Sequence, residues 1–430
     1  MLSFSIRKDK MMFLDYLILI LVLFLILEMR QCNIYNKTLI GVVLVFCSLE
    51  LLFKFKNDKM LIFVFGIITY INLSLVISDC LTNGMLALPI ETTSWQKLRG
   101  TEYDLIFVKS LVLFISTLNA LVPAYKGAIV KEHIIRQKKN NIYIFLGIYF
   151  VLWIILITGY AVSSSSLAGY ESNTTTFFEY STALFLIAWY YSGTSKKADA
   201  LLKIYAVTYI FRAVVQGDRS SAFPMILIIV ILYLKKNISL KKLFLIAVLG
   251  IFCSNIISVY RLSYSTQNIM SSYITQYGLK GFASDTVSQS FYTGISIIAA
   301  KSQCPNSFLY FIDFLIGIVI GGSYGKANLT EFTLKYYMNK GGGMLVSSWY
   351  FWFGYAGIII LSIIMAHLLK KMQGTKETDF QRLLKIYFTA TAFRWYLYTS
   401  FDLFRGVLFV FPVMFLFFQI IDQLIKNKQL

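Results

Sequence analysis

The stretch MLIFVFGIITYINLSLVIS, residues 60–78, contains no charged residue. A helix of this length spans close to the thickness of the hydrocarbon core of a bilayer, which is about 30 Å. Apolar blocks of similar length recur along the chain. Within a bilayer each segment must satisfy its own backbone hydrogen bonds, which favours helices. The sequence therefore predicts an all-α, polytopic membrane protein.

The composition agrees with this fold class and excludes others. Of the 430 residues, 57% are hydrophobic and 14% are charged, whereas soluble domains carry about 25% charged residues. The 40 basic residues outnumber the 21 acidic ones, which we attribute to basic cytoplasmic loops and not to nucleic-acid binding. The five cysteines form no C-x-x-C pair, so neither a disulfide framework nor a metal site is predicted.

Basic clusters determine the predicted topology. The N-terminal stretch MLSFSIRKDK precedes an apolar run without a small-residue cleavage site, so we expect a signal anchor that is retained as the first span. The Lys and Arg clusters between the apolar blocks all fit on one side, which makes that side and both termini cytoplasmic. The chain is predicted to form a single transmembrane domain, 1–430, with about twelve spans: 11–29, 38–53, 60–78, 103–125, 142–161, 177–192, 200–216, 220–234, 243–260, 345–369, 383–400 and 404–425.

One external segment, 261–344, is much longer than the other external loops. It contains an apolar stretch, 308–321, that is too short to cross a bilayer. A crossing there would also move the basic cluster at 370–385 to the outside, so we interpret the stretch as a re-entrant or interfacial helix. A loop of this length with its own helix is typical of a functional segment.

Arginine is concentrated on the predicted outer side, which holds seven of the ten arginines. The planar guanidinium group binds phosphate or carboxylate through two hydrogen bonds at once. Arg212, Arg219 and Arg261 flank two consecutive spans and favour an anionic substrate near the outer leaflet. The alternative is that these arginines extend to lipid phosphates.

The stretch IFRAVVQGDRSSAFPM, residues 210–225, predicts a helix start. Gly217 ends one helix, Asp218 is suited to cap the next, and Pro224 is expected in the first turn of that helix. Arg219 and Ser220 would then lie at a helix N-terminus, where free amides and the helix dipole attract anions. The alternative is that Asp218 only caps the helix and pairs with Arg212.

At these residues the chain resembles the Wzy-type oligosaccharide repeat-unit polymerases, which make O-antigens and capsules. The resemblance covers roughly residues 200–369 and has three parts. The first is the turn Gly217-Asp218-Arg219, and the second is Tyr260-Arg261 at the end of the next span. The third is the architecture, with one large external loop followed by the aromatic stretch WYFWFGYAG at 349–357.

The resemblance implies a GT-C-like glycosyltransferase in the bacterial inner membrane. It would transfer a growing glycan from one undecaprenyl-diphosphate carrier to a second lipid-linked repeat unit in the outer leaflet, without cofactor or metal. It also implies a chain-length regulator and a flippase as partners. The stretch IGGSYGKAN, 320–328, does not match a P-loop, because Ile320 replaces the first glycine and Ala327 replaces the Ser or Thr.

Such a transfer needs a group that accepts the proton of the attacking hydroxyl. The external segment has three carboxylates, Asp285, Asp313 and Glu331. We favour Glu331, which follows Lys326 in a polar, glycine-rich stretch suited to a sugar, and Asp285 next, although Asp285 also fits an N-cap. Asp313 is expected to pair or to face water. A structural or sugar-binding role for all three remains an alternative.

Three other functions stay open at this point. A lipid-linked oligosaccharide flippase would also need cationic residues, but transporters usually show two similar halves. A glycan ligase would resemble this architecture but use an external histidine, whereas His133 and His367 are both predicted to be cytoplasmic. A scaffolding role is the third. Among the charges within the spans, Asp15 and Glu50 lack an obvious partner, and Arg394 is expected to pair with Asp402.

Overall fold

The computed structural model describes residues 2–58, 60–82, 84, 93–123, 139–159, 175–216, 218–233, 284–322, 324–373 and 378–427, with isolated positions between 242 and 274. This part of the chain is nearly all helical and has no strand. In chain order the helices are α1 (Leu2–Glu28), α2 (Ile34–Lys54), α3 (Leu61–Leu75), α4 (Thr93–Leu98), α5 (Glu102–Leu121), α6 (Ile142–Thr158), α7 (Thr176–Tyr191), α8 (Lys196–Val215), α9 (Arg219–Tyr233), α10 (Asp285–Ala300), α11 (Ser307–Ile320), α12 (Leu329–Leu334), α13 (Met344–Phe353), α14 (Tyr355–Met372), α15 (Asp379–Ala390), α16 (Ala392–Leu397) and α17 (Phe411–Asn427).

Five helical segments of the described chain are long and apolar enough to cross a membrane. Two of them include π-helical turns, at Val76–Cys80 after α3 and at Asp402–Val410 before α17. The all-α membrane character predicted from the sequence is thereby supported, while the count of twelve spans stays a prediction. The five segments are Ile34–Lys54, Leu61–Cys80, Glu102–Leu121, Tyr355–Met372 and Asp402–Asn427.

Large apolar side chains are exposed on several helices. Phe24 and Leu27 on α1 are 59% and 71% exposed, and Phe150 on α6 is 68% exposed. Such surfaces are unfavourable in water but suit contact with hydrocarbon. Both observations, span length and apolar surface, indicate a membrane protein.

The chain divides into two compact units, and each is discontinuous in sequence. Unit 1 comprises Met1–Gly127, Leu279–Thr375 and Arg394–Asp402. Unit 2 comprises Ala128–Gly278, Lys376–Phe393 and Leu403–Leu430.

Helix α5 forms the centre of unit 1. It packs against α1, α2, α10 and α14, and nearly all of its side chains are buried. Three helices of unit 1 have carbonyl groups at or just after their C-terminal ends that accept hydrogen bonds from lysines. A different lysine, from another part of unit 1, donates at each of the three. Lys54 donates to Asn119 O at 2.8 Å on α5, Lys109 donates to Met29 O after α1, and Lys301 donates to Tyr350 O at 2.9 Å on α13. Carbonyls at the C-terminal end of a helix lack part of their intrahelical donors, and the lysines stabilise them. Tyr350 O also accepts a hydrogen bond from Gly354 N at 2.7 Å.

One predicted span is divided by a glycine. The stretch 345–369 was expected to be a single helix, but Gly354 separates α13 from α14 with a φ of 64°. This left-handed conformation costs little at glycine, which has no Cβ. The spanning segment therefore begins at Tyr355, and α13 is a separate helix of 10 residues.

The predicted apolar stretch at 308–321 forms α11, Ser307–Ile320. Its 14 residues correspond to about 21 Å of helix, which is shorter than the hydrocarbon core. One face of α11 packs on α13, where Phe314 lies 4.5 Å from Trp352 between ring centroids. The opposite face exposes apolar side chains that include Leu309 and Val319. Its placement at the membrane interface stays a prediction.

Unit 2 contains α6 to α9, α15 and α17. Helix α6 packs on α7, and α9 packs on α8 and α15. Its core is rich in aromatic rings, such as Phe178 and Tyr209, which stack with centroids 4.5 Å apart. The carboxylate of Asp422 is 1% exposed and accepts a hydrogen bond from Asn141 at 2.7 Å. It also pairs with Lys139 and Lys426.

The charges predicted to lie within spans have partners. Asp15 and Glu50, which seemed to lack one, both face Lys54, with N–O distances of 2.7 Å and 3.8 Å. The predicted pair between Arg394 and Asp402 is confirmed at 3.3 Å.

Candidate functional site

The turn before α9 has the capping geometry that the sequence predicts. Asp218 is 5% exposed, and its Oδ1 accepts hydrogen bonds from Ser221 N at 3.1 Å and Ser220 Oγ at 2.7 Å. Asp218 is thus the N-cap of a helix that starts at Arg219. A ligand at this N-terminus would use donors other than the Ser221 amide, because Asp218 already occupies it.

The expected position of Pro224 was wrong. Helix α9 begins at Arg219, so Pro224 lies in its second turn and not in its first. There its missing N–H leaves the carbonyl group of Ser220 without the usual helical donor.

The predicted arginines are placed in part. Arg212 is half-buried near the end of α8, and its Nη2 donates to Ile157 O at 3.0 Å in the last turn of α6. Arg219 is half-buried at the start of α9. Gly217, Tyr260 and Arg261, which carry part of the predicted diphosphate site, lie outside the described residues.

The three carboxylates of the external segment differ in their surroundings. Glu331 is exposed in the first turn of α12, and it forms no ion pair or side-chain hydrogen bond with another described residue. Asp313 accepts a hydrogen bond from Lys326 N at 2.8 Å, which holds the glycine-rich turn before α12. Asp285 is half-buried, and its Oδ1 accepts a hydrogen bond from Thr286 N at 2.7 Å. Ser284 holds the N-cap position of α10, so Asp285 is not the N-cap considered from the sequence.

Lys326 is exposed next to the turn that Asp313 holds. Its ammonium group lies 5.5 Å from the centroid of the Tyr310 ring. Gly325 approaches Asp313 so closely that an added Cβ would lie 2.8 Å from its Oδ2. Lys326, Glu331 and Asp285 belong to unit 1, whereas Arg212, Arg219 and Ser220 belong to unit 2.

Sequence reasoning missed a buried charged network in unit 1. Lys37 on α2 and Asp104 on α5 form an ion pair of 2.7 Å, and their side chains are 1% and 0% exposed. Asp104 also accepts a hydrogen bond from Gly100 N at 3.1 Å. A buried pair like this is costly to desolvate and needs such additional hydrogen bonds.

A second part of the network joins Asp79 to Arg99 through a tyrosine. Tyr292 on α10 donates from its hydroxyl to Asp79 Oδ1 at 2.7 Å, and Arg99 Nε donates to the same hydroxyl at 3.0 Å. Ser78 Oγ donates to the other oxygen of Asp79 at 2.6 Å. Burial and the adjacent Asp79 carboxylate raise the pKa of Tyr292, so its hydroxyl stays protonated.

Aromatic and basic side chains surround this tyrosine. The Trp95 and Tyr292 rings stack with centroids 6.0 Å apart, and Trp95 Nε1 donates to Met338 O at 3.0 Å. The ammonium group of Lys340 lies 5.7 Å from the centroid of the Trp95 ring. Tyr292, the central residue of this part of the network, thus packs against an aromatic ring that a lysine also contacts.

A signal for this network was present in the predicted topology. Lys37, Asp79, Arg99 and Asp104 all lie within a few residues of a predicted span end, and those ends fall on the same, outer side. Ionisable residues at such positions usually face protein and not lipid. Tyr292 carried no comparable signal, because tyrosines are frequent throughout the external segment.

No known protein family, curated protein or solved structure matches the chain.

Proposed function

We propose that this protein is a membrane glycosyltransferase that polymerises undecaprenyl-diphosphate-linked repeat units at the outer leaflet. The single observation that supports it best is the state of Glu331. Of the three carboxylates in the external segment, Asp285 and Asp313 accept hydrogen bonds from the protein, whereas Glu331 is exposed and accepts none from the part of the chain that the structure describes. An exposed carboxylate of this kind, next to a glycine-rich turn, has room to bind a sugar hydroxyl.

At the anomeric carbon, the proposed reaction forms one bond and breaks one, and a proton moves from the acceptor hydroxyl to the protein. The acceptor hydroxyl oxygen bonds to the anomeric carbon of the donor glycan, and the bond from that carbon to the diphosphate oxygen breaks. Glu331 takes the hydroxyl proton, and the bonding electrons leave with the diphosphate. Arg212, Arg219 and Arg261, with Ser220, would stabilise the negative charge that develops on this leaving group.

Substrate recognition would involve groups on both sides of the transferred bond. Lys326 and Tyr260 are proposed to contact the sugars or the carrier. The reaction needs no nucleotide, because the activated sugar already carries its leaving group. A chain-length regulator and a flippase would act with the enzyme in the same membrane.

The alternative of a lipid-linked oligosaccharide flippase has one observation in its favour. Unit 1 buries the pairs Lys37–Asp104 and Lys54–Asp15, and three of these four residues, Lys37, Lys54 and Asp104, lie on helices long and apolar enough to cross a membrane. Ionisable residues at membrane depth frequently mark transport pathways.

The glycan ladder of a strain that lacks the gene tests the proposal. A polymerase predicts surface glycan limited to one repeat unit, and full-length chains should return when the gene is restored. Complete loss of surface glycan would indicate the flippase. Full-length polymer that stays on its lipid carrier would indicate a ligase.

A further inference from the structure

Arg99 is held in one orientation by its surroundings in unit 1. Its Nε donates to the Tyr292 hydroxyl at 3.0 Å, and its guanidinium carbon lies 5.5 Å from the centroid of that ring. Gly84 also lies against the group, since an added Cβ there would be 2.4 Å from the guanidinium carbon and 2.5 Å from Nε. The guanidinium plane is therefore fixed by a ring, a hydroxyl and a glycine.

The groups that hold Arg99 are themselves buried and fully engaged. Asp79 and Tyr292 are both 0% exposed. The two oxygens of Asp79 accept hydrogen bonds from Tyr292 and Ser78. Asp79 therefore orients Arg99 through the tyrosine and does not form an ion pair with the guanidinium group. Among the described residues, no carboxylate forms an ion pair with Arg99.

The two terminal nitrogens of Arg99 are available. They have no hydrogen-bond partner among the described residues, and Arg99 is only half-buried. These two nitrogens form the fork that binds two oxygens of one phosphate or carboxylate. Lys340, over the adjacent Trp95 ring, adds a second positive charge to this region.

We propose that Arg99 binds a phosphate-class oxyanion, and that Tyr292 and Asp79 are positioning residues that fix the guanidinium fork for it. The ligand is either the diphosphate headgroup of a lipid or free phosphate or diphosphate. Its identification with the headgroup of the lipid carrier rests on the proposed function, whereas the oxyanion site does not. Under that function, unit 1 holds a phosphate contact in addition to the arginines of unit 2.

Equilibrium binding to the full-length purified protein tests this site with two probes. One is undecaprenyl diphosphate in phosphatidylcholine vesicles, and the other is inorganic pyrophosphate in solution. Arg99→Gln should weaken binding by about ten- to a hundredfold, because a hydrogen-bonded charged contact is lost. Arg99→Lys keeps the charge without the fork and should weaken it by a smaller factor. The exposed Arg30, substituted as Arg30→Lys, is the control and should have no effect.

The positioning role has its own matched control. Tyr292→Phe removes the hydroxyl between Asp79 and Arg99, and it should weaken binding about three- to tenfold. Tyr396 is also fully buried in unit 1, and its hydroxyl donates to Asn72 Oδ1 at 2.8 Å. Tyr396→Phe therefore loses a comparable buried hydrogen bond away from Arg99 and should leave binding within about twofold of wild type.

Wild-type affinity of Arg99→Gln or Arg99→Lys for both probes, in protein that unfolds at the wild-type temperature, would overturn the site. Equal effects of Tyr292→Phe and Tyr396→Phe would overturn the positioning role. If Arg99→Gln does not fold, Arg99→Lys decides. Loss of vesicle binding alone identifies a lipid headgroup, and loss of pyrophosphate binding as well identifies an anion bound without its lipid. A flippase phenotype in the deletion strain would reject the polymerase but leave the Arg99 result unchanged.

Discussion

Glu331 is the residue on which the proposed chemistry depends most directly. Its carboxylate is exposed at the start of α12, and Gln has nearly the same shape but cannot accept a proton at neutral pH. If Glu331 is the base, Glu331→Gln should slow polymer formation by about 10²–10⁴-fold without weakening donor binding. The assay uses purified protein and lipid-linked repeat units, without added nucleotide.

Glu102 provides the matched control for that substitution. It is also an exposed glutamate in the first turn of a helix, α5, and Glu102→Gln should retain activity. A Glu331→Gln variant within about threefold of wild type would remove Glu331 as the base. Asp285→Asn would then be tested in the same assay.

The side chain of Lys54 is buried, where it neutralises two carboxylates and caps the C-terminal end of α5. Its ammonium group lies 2.7 Å from Asp15 Oδ2 and 2.8 Å from Asn119 O. Lys54→Met would leave the buried Asp15 charge uncompensated, which should lower the free energy of unfolding by about 3–5 kcal/mol. Thermal unfolding in detergent measures the loss.

The double substitution Lys54→Met with Asp15→Leu removes both charges. It should recover part of the stability, because the buried Asp15 charge is then gone and only the half-buried Glu50 has lost its partner. A double variant less stable than Lys54→Met would show that Asp15 is not the group left uncompensated.

The break between α13 and α14 depends on the backbone of Gly354. Its φ is 64°, and an added Cβ would meet no atom within 4 Å. The cost of Gly354→Ala is therefore conformational, and we expect a loss of about 1–3 kcal/mol. Gly147 in α6 has equally open space but ordinary helical geometry. Gly147→Ala should instead stabilise by about 0.5–1 kcal/mol, and equal melting temperatures for the two variants would contradict this account.

Lys301, which follows α10 and binds carbonyl groups near the end of α13, predicts a dependence of stability on pH. Burial lowers the pKa of Lys301, so the folded state binds its proton less tightly than the unfolded state does. The contribution of Lys301 to stability should therefore rise with pH between its folded pKa and its unfolded pKa. The neutral amine can still donate to Tyr350 O and Phe351 O.

Thermal unfolding at about pH 8 and about pH 10 checks this sign against a Lys301→Met variant. The difference in melting temperature between wild type and variant should grow in favour of wild type at the higher pH. Since Lys301 is only half-buried, the change should be small. A difference that shrinks with pH would show that the charged form is the one the fold prefers.

Local patterns predicted the helices but not their interruptions. The N-cap Asp218 and the short helix α11 could be predicted because capping residues and apolar length are properties of a few adjacent residues. The break at Gly354 could not, since hydropathy stays high across it. The Asp79–Tyr292 bond joins residues 213 positions apart, and no local pattern indicates which of many tyrosines will meet a given carboxylate.

At the scale of the whole molecule, the predicted topology can be tested by labelling. In a variant without its native cysteines, Glu331→Cys should react from outside with an impermeant thiol reagent, and Lys371→Cys should not. Both positions are exposed, so the difference reports sidedness and not burial. Equal labelling of the two would mean that an additional crossing separates them or that the assigned orientation is wrong.

The segments that form unit 1 are far apart in the sequence, so the ribosome synthesises them at different times. Helix α5 packs on α14, and Asp79 meets Tyr292, but residues 128–278 must be synthesised between these partners. The first spans therefore enter the bilayer with Asp79 and Arg99 still lacking their shared tyrosine. We expect a nascent chain arrested before residue 279 to be sensitive to membrane proteases and to depend on insertion factors that shield polar groups. The chain should stop depending on these insertion factors once α10 and α14 have been synthesised, late in translation.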